Sequence, residues 1–144
     1  MVRGCKRAGV VGANISDCPG PHGAACHCRE PEVRFYCLTH AKREADRLFS
    51  LEVRKGGRCE ACGATTNLQC SHFISRRYLG VRYVRLNAEC LCFRCHKRLT
   101  ERPLEAEERG RRVLGSAVYD ELRRTALTFK GRPDYAAVIG EMGR

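Results

Sequence analysis

The chemistry available to this chain is dominated by four cysteines in two matched pairs. Cys59-x2-Cys62 is followed thirty residues later by Cys92-x2-Cys95. Two knuckles of this spacing can deliver four thiolates to the corners of a tetrahedron, the arrangement that holds a structural zinc ion at Zn–S distances of about 2.3 Å. Cys70 and Cys90 lie in the same stretch but outside the pairs. They read as small buried hydrophobes, although Cys90 would compete with Cys92 for the ion if both point the same way along a strand. A second group precedes this one: Cys5, Cys18, Cys26, Cys28 and Cys37, with His22, His27 and His40. Cys37-x2-His40 at a helix start, with Cys26-x-Cys28 before it, predicts a second structural zinc site. Its ligands are Cys28, Cys37 and His40, with Cys26, Cys18 or Cys5 as the fourth. The competing reading is a loop with free thiols. The 11 cysteines are an odd number, and no apolar run follows Met1. The expectation is therefore a reduced, cytoplasmic metalloprotein rather than a secreted disulfide scaffold.

Between the paired cysteines stand His72 and Asn87, and His96 directly follows Cys95. The stretch CEACGATTNLQCSHF (59–73), and the stretch NAECLCFRCH (87–96) with its Asn nine residues before a His, resemble the HNH endonucleases and their ββα-metal fold. Looser likeness in HFISRRYLGVRY and LGSAVYDELRRTALTFKG extends the resemblance over roughly residues 57–140. It points to small phage-encoded HNH proteins related to the NinG/Rap recombination nucleases, which act on branched DNA including Holliday junctions. For a phage-encoded protein the compartment would be the bacterial host cytoplasm.

The resemblance implies metal-dependent hydrolysis of DNA phosphodiesters. Such hydrolysis needs an activated water, a Lewis acid on the phosphate and help for the leaving oxygen. An imidazole with its ordinary pKa near 6.5 can take a proton from water at neutral pH. By the resemblance, His72 on the first strand is that base. Asn87, on or after the second strand, fixes the geometry of the base, and His96 at the helix start is a ligand of one catalytic divalent ion. Cleavage would leave 5′-phosphate and 3′-hydroxyl ends. Ser71 stands where the family often has an Asp or His ligand, and Thr100 where some members have a further His. The expected coordination is then His96 with water, phosphate and Asn87 or Glu101, a set suited to Mg²⁺ or Mn²⁺. The same departures sustain an alternative: a non-catalytic, zinc-folded nucleic-acid-binding protein with an HNH-like core. His96, next to Cys95, could also serve the structural zinc.

Charge reinforces the nucleic-acid reading. Of the formal net charge of +11, residues 51–103 contribute +7, with 11 Lys/Arg against 4 Asp/Glu. A basic excess on the segment that carries the Cys and His predicts a polyanionic partner, here DNA. Arg76, Arg77, Arg82, Arg85, Arg94, Lys97 and Arg98 are the expected phosphate contacts. No set of base-reading residues stands out, so recognition is expected to follow DNA structure, with low sequence specificity. Tyr78 and Tyr83 either stack on unpaired bases or pack in the hairpin. No apolar stretch nears the ~20 residues of a membrane span, so no membrane partner is expected.

The elements that position these residues must be small. With 144 residues, 7% aromatic and no Trp, the chain has little for a large core, and metal bracing is the usual remedy. The expected fold class is a small α+β zinc-stabilised protein. Residues 1–50 form a Cys-rich N-terminal zinc module and helix, 51–103 the ββα-metal core with its four-cysteine zinc clamp, and 104–144 a helical tail. Leu38, Ala41, Ala45, Leu48 and Phe49 predict a helix ended by Gly56-Gly57. Strands are expected over Leu68–Ile74 and Val81–Leu86, and a helix from near Cys95 to about Thr100, with Pro103 as a break or new start. Gly110 and Gly115 are expected to interrupt the tail, and Ser116 to cap a helix burying Val118, Leu122, Ala126 and Phe129. That stripe either packs internally or pairs two copies as a homodimer. Tyr135–Met142 completes the pattern.

Overall fold

The computed structural model describes residues 38–143. They form a small α+β arrangement of a two-stranded antiparallel sheet and five helices. The stretch Leu48–Asp134 is one compact unit, and the described residues on either side of it, 38–47 and 135–143, belong to a second. Helix α1 (Leu38–Val53) buries Ala41, Ala45, Phe49 and Val53, a stripe at four-residue steps that keeps one helix face inward. Helix α5 (Tyr135–Met142) lies in the second unit. Among the described residues no helix is long and apolar enough to cross a membrane.

Within Leu48–Asp134 the order is strand, loop, strand, helix. Strand β1 (Leu68–His72) leads into a loop containing two single-turn 3₁₀ helices, Leu79–Val81 and Arg85–Asn87. Strand β2 (Ala88–Cys92) follows, and helix α2 (Phe93–Glu101) begins at the next residue. The second strand therefore lies later than the Val81–Leu86 expected from alternation. All five residues of β2 are buried, and a strand covered on both faces shows no alternating signal. Val81 is instead a core residue of the loop, fully buried with Ile74 against Tyr119, Leu122 and Ala126.

Those last three residues belong to α4 (Ser116–Thr128), which is preceded by α3 (Pro103–Leu114). Proline at the start of α3 loses no intrahelical bond, because the first N–H groups of a helix have no partner within it. One residue, Gly115, separates α3 from α4, with φ of +82°. Glycine alone adopts that conformation without cost, and the reversal leaves Ser116 already inside α4 rather than capping it. The buried face of α4 is Tyr119, Leu122 and Ala126, while Val118 and Phe129 are exposed. The expected stripe was thus one position out at its start.

Gly115 thus interrupts the tail as expected, but Gly110 does not. It is buried inside α3, and a Cβ there would lie 2.5 Å from Cε2 of Tyr119 and 2.8 Å from its Cδ2. The glycine is what lets α3 and α4 approach. A buried ion pair ties α3 to the sheet: Arg109 donates from Nη2 to Glu89 Oε2 at 2.6 Å and from Nε to both carboxylate oxygens at 3.0 Å. The Glu89 side chain is 2% exposed. A buried carboxylate stripped of its partner is strongly destabilising, whereas replacing both partners with apolar groups is often neutral.

Two stability measurements check these contacts. Gly110→Ala should overpack the α3–α4 contact and cost about 1–3 kcal/mol in urea unfolding. Arg109→Met should cost about 3–5 kcal/mol by leaving the Glu89 charge uncompensated, and the double variant Glu89→Leu/Arg109→Met should recover most of that loss.

Candidate metal centre and the histidine-bearing ribbon

The two cysteine pairs meet. Cys59 opens a tight turn in which its N–H donates to Ala64 O at 2.7 Å and Gly63 N–H donates to Cys59 O at 2.8 Å. Cys92 is both the last residue of β2 and the N-cap of α2, with Cys95 in the first helical turn. The ligand atoms of Cys59, Cys62, Cys92 and Cys95 all lie within 4.8 Å of one another, and Cys62 Sγ is 3.7 Å from Cys92 Sγ. A tetrahedral zinc thiolate with ~2.3 Å bonds has sulfur–sulfur edges of about 3.8 Å, so the donor set fits a metal ion such as zinc.

The electrostatics of Cys59 and Cys95 agree with that fit. Burial pushes Cys59 up, but backbone N–H groups of Cys92, Ala61 and Cys62 and the Cys62 thiol outweigh it and bring it down to about 6. Cys95 is pushed up to about 12 by burial and by its bonding with Cys62, Cys92 and Cys59. The Cys59 thiolate forms readily, and without a cation its charge helps to hold Cys95 protonated. A bound ion removes that repulsion and binds with release of protons.

Glu60 fastens the first knuckle to the sheet. Its N–H donates to Cys90 O at 2.8 Å, and its Oε1 accepts the Cys90 N–H at 2.8 Å. Nothing in the sequence reading singled out Glu60. A position between two knuckle cysteines was the available signal.

The sheet itself is a ribbon pairing Leu68↔Cys92, Gln69↔Leu91, Cys70↔Cys90, Ser71↔Glu89 and His72↔Ala88. Adjacent residues of a strand point to opposite faces. One face therefore carries Leu68, Cys70 and His72 with Ala88, Cys90 and Cys92, and the other carries Gln69 and Ser71 with Glu89 and Leu91. His72 stands at the loop end of β1. Its Nε2 is 2.9 Å from Arg82 O, and since a carbonyl only accepts, Nε2 carries the proton and Nδ1 is the basic nitrogen. The ring stacks on Phe49 at 5.7 Å between centroids and 25° between planes.

Asn87, fully buried just before β2, spends its amide on the loop. Oδ1 accepts Ile74 N–H at 2.8 Å, and Nδ2 donates to Ile74 O at 2.9 Å and Val81 O at 3.0 Å. It clamps the two ends of the loop that begins beside His72.

His96 is tied to the other face of the ribbon. Its Nδ1 lies 2.6 Å from Gln69 Oε1, which leaves Nε2 as the nitrogen able to coordinate. Burial lowers its basicity, the Arg76 guanidinium lowers it further, and Glu89 pulls the other way. The structure thus groups His96 with Gln69, Arg76 and Glu89. It separates His96 from the four-sulfur cluster and from the face that bears His72. Ser71 is buried and paired across the ribbon with Glu89. Thr100 donates to His96 O at 2.9 Å. Glu101 is exposed and 3.8 Å from Lys97.

The expected phosphate contacts divide. Arg76, Arg77, Arg85, Arg94, Lys97 and Arg98 are exposed, although Arg98 is paired with Glu105 and Arg85 donates to Ala88 O at 2.6 Å. Arg82 is the correction. It is buried, donating to Arg76 O at 2.8 Å and to Tyr83 Oη at 3.2 Å, and so braces the loop. Tyr83 also packs edge-on against Phe49, whereas Tyr78 is exposed. Of the predicted N-terminal zinc ligands, Cys26, Cys28 and Cys37 lie outside the described residues, as do Cys5 and Cys18. His40 sits in the first turn of α1.

Removing one sulfur tests the metal centre. Cys62→Ser should lower zinc per chain in elemental analysis and abolish the cooperative thermal transition of the ribbon followed by circular dichroism. Structural zinc in small modules contributes on the order of 10 kcal/mol to folding. No protein-family model, curated protein or solved structure matches this chain.

Proposed function

We propose that this chain is a metal-dependent endonuclease of the HNH type that hydrolyses DNA phosphodiesters, with branched or recombination-intermediate DNA as the expected substrate. One observation carries the reading. A strand ending in His72, a loop clamped by Asn87, a second strand and a helix carrying His96 follow one another directly, closed by four cysteines. That order, closed by four clustered cysteines, supports the reading of a ββα-metal core.

In this reading His72 is the general base. The Arg82 carbonyl holds its tautomer and Phe49 its plane, and Asn87 keeps the adjoining loop from shifting the ring. A half-buried, pre-oriented base takes a proton from water without first reorganising. His96, held through Gln69, would ligate a Mg²⁺ or Mn²⁺ ion, which supplies Lewis-acid stabilisation of the phosphate. The exposed Arg76, Arg77, Arg85, Arg94 and Lys97 would meet flanking phosphates, and their contacts fix position rather than sequence.

A second reading is favoured by the other face of the ribbon. Glu89, the carboxylate that acts on His96, is taken by Arg109, and His72 and His96 are tied to opposite faces. A zinc-folded DNA-binding protein without cleavage would have this arrangement.

Incubation with plasmid and branched oligonucleotides, in Mg²⁺ or Mn²⁺ against EDTA, separates the two. For the enzyme, His72→Ala should reduce cleavage by about 10²–10⁴-fold, the usual worth of a general base, with DNA binding and zinc content unchanged. Wild-type cleavage by that variant rejects the assignment of the base. Binding without ion-dependent cleavage by the unaltered chain selects the second reading.

A further inference from the structure

Cys70 and Cys90 are the two described cysteines left out of the metal centre, and the ribbon sets them directly opposite one another. The hydrogen bonds that continue the ribbon beyond its ends fix which kind of pair they form. Phe73 N–H donates to Asn87 O, and Phe93 N–H donates to Asn67 O, each at 2.9 Å. Bonded pairs recur at every second position of an antiparallel ladder. The bonded pairs are therefore Gln69–Leu91 and Ser71–Glu89, and Cys70–Cys90 is a non-bonded pair. The Cys90 backbone agrees, since both its N–H and its C=O are engaged by Glu60 on the far side of the strand.

In non-bonded pairs the Cα atoms approach to about 4.5 Å with side chains on one face. Disulfides form at Cα separations of about 4.4–6.8 Å, so closure requires no displacement of either strand. Exposure is unequal: Cys90 is 1% exposed and Cys70 is half-buried. An oxidant reaches Cys70 first and finds Cys90 behind it.

We propose that Cys70 and Cys90 form a reversible cross-strand disulfide, a redox-modification site separate from the zinc thiolates, with a low-molecular-weight disulfide as the oxidant. Cys70 sulfur attacks one sulfur of the small disulfide, forming a mixed disulfide and releasing one thiol. Cys90 sulfur then attacks the sulfur of Cys70 and expels the second thiol. The two cysteine protons end on the two released thiols, and the two electrons reduce the small disulfide. The new bond would lock the ribbon between the Leu68–Cys92 pair at the metal end and the His72–Ala88 pair at the loop end.

The test uses the full zinc-loaded chain treated with oxidised glutathione, followed by alkylation, peptide mass spectrometry of all 11 cysteines and a zinc assay. Cys70 and Cys90 should lose alkylation together and before the metal ligands, giving one linked peptide pair with zinc retained and full reversal by dithiothreitol. Cys90→Ala should trap glutathione on Cys70, and Cys70→Ser, at the half-exposed position, should leave Cys90 unmodified. Three results would overturn the proposal: zinc loss before Cys70 and Cys90 react, glutathione persisting on Cys70 of the unaltered chain, or a link from either cysteine to a different one.

Discussion

Cys92 does three jobs at one point in space: it ends the second strand, caps the helix that follows and supplies one of four clustered sulfurs. Because no residue intervenes between β2 and α2, the direction of the helix is set by the end of the ribbon. Because Cys59 and Cys62 reach the same point from thirty residues away, the knuckle is set there too. Chains with few large apolar side chains gain little from burial alone. Here a short-range cluster of donors replaces the missing core as the fastening of strand, turn and helix.

The far end of the ribbon is held by a different means. Asn87 satisfies three backbone groups of the loop with one amide, and buried Arg82 holds a fourth. Loop backbone that is buried must find such partners, and a side chain that supplies several at once makes the loop rigid. The apolar residues of the loop, Ile74 and Val81, then pack on α4. What surrounds His72 is therefore a clamped loop and an aromatic plane rather than a mobile surface segment.

The two faces of the ribbon have different characters. One holds His72 and the paired Cys70 and Cys90. The other holds Gln69, Ser71 and the buried Glu89, with His96 and Arg109 brought to it from α2 and α3. The Glu89–Arg109 pair is a fastening of α3, and Glu89 also partly offsets the burial and the Arg76 charge that lower the basicity of His96. A substitution at Glu89 would therefore disturb the packing of α3 and the basicity of His96 together.

Much of this was legible in the residues. The two Cys-x2-Cys pairs predicted the four-sulfur cluster, because that spacing lets two knuckles bring four thiols to the corners of a tetrahedron. The helices α1 and α4 followed from apolar period, and the basic middle third from simple counting. Where the second strand lies was not legible, since Ala88–Cys92 is buried on both faces and leaves no alternation, while Val81–Leu86 is loop that buries Val81 and Arg82 and leaves Leu86 exposed. Nor could the sequence distinguish Arg82 from its exposed neighbours, or show that Gly110 admits Tyr119 rather than breaking a helix. Those outcomes depend on which groups from distant segments arrive beside a residue. Residue type and spacing determine what a side chain can bond to, and only the tertiary arrangement decides which of those bonds is made.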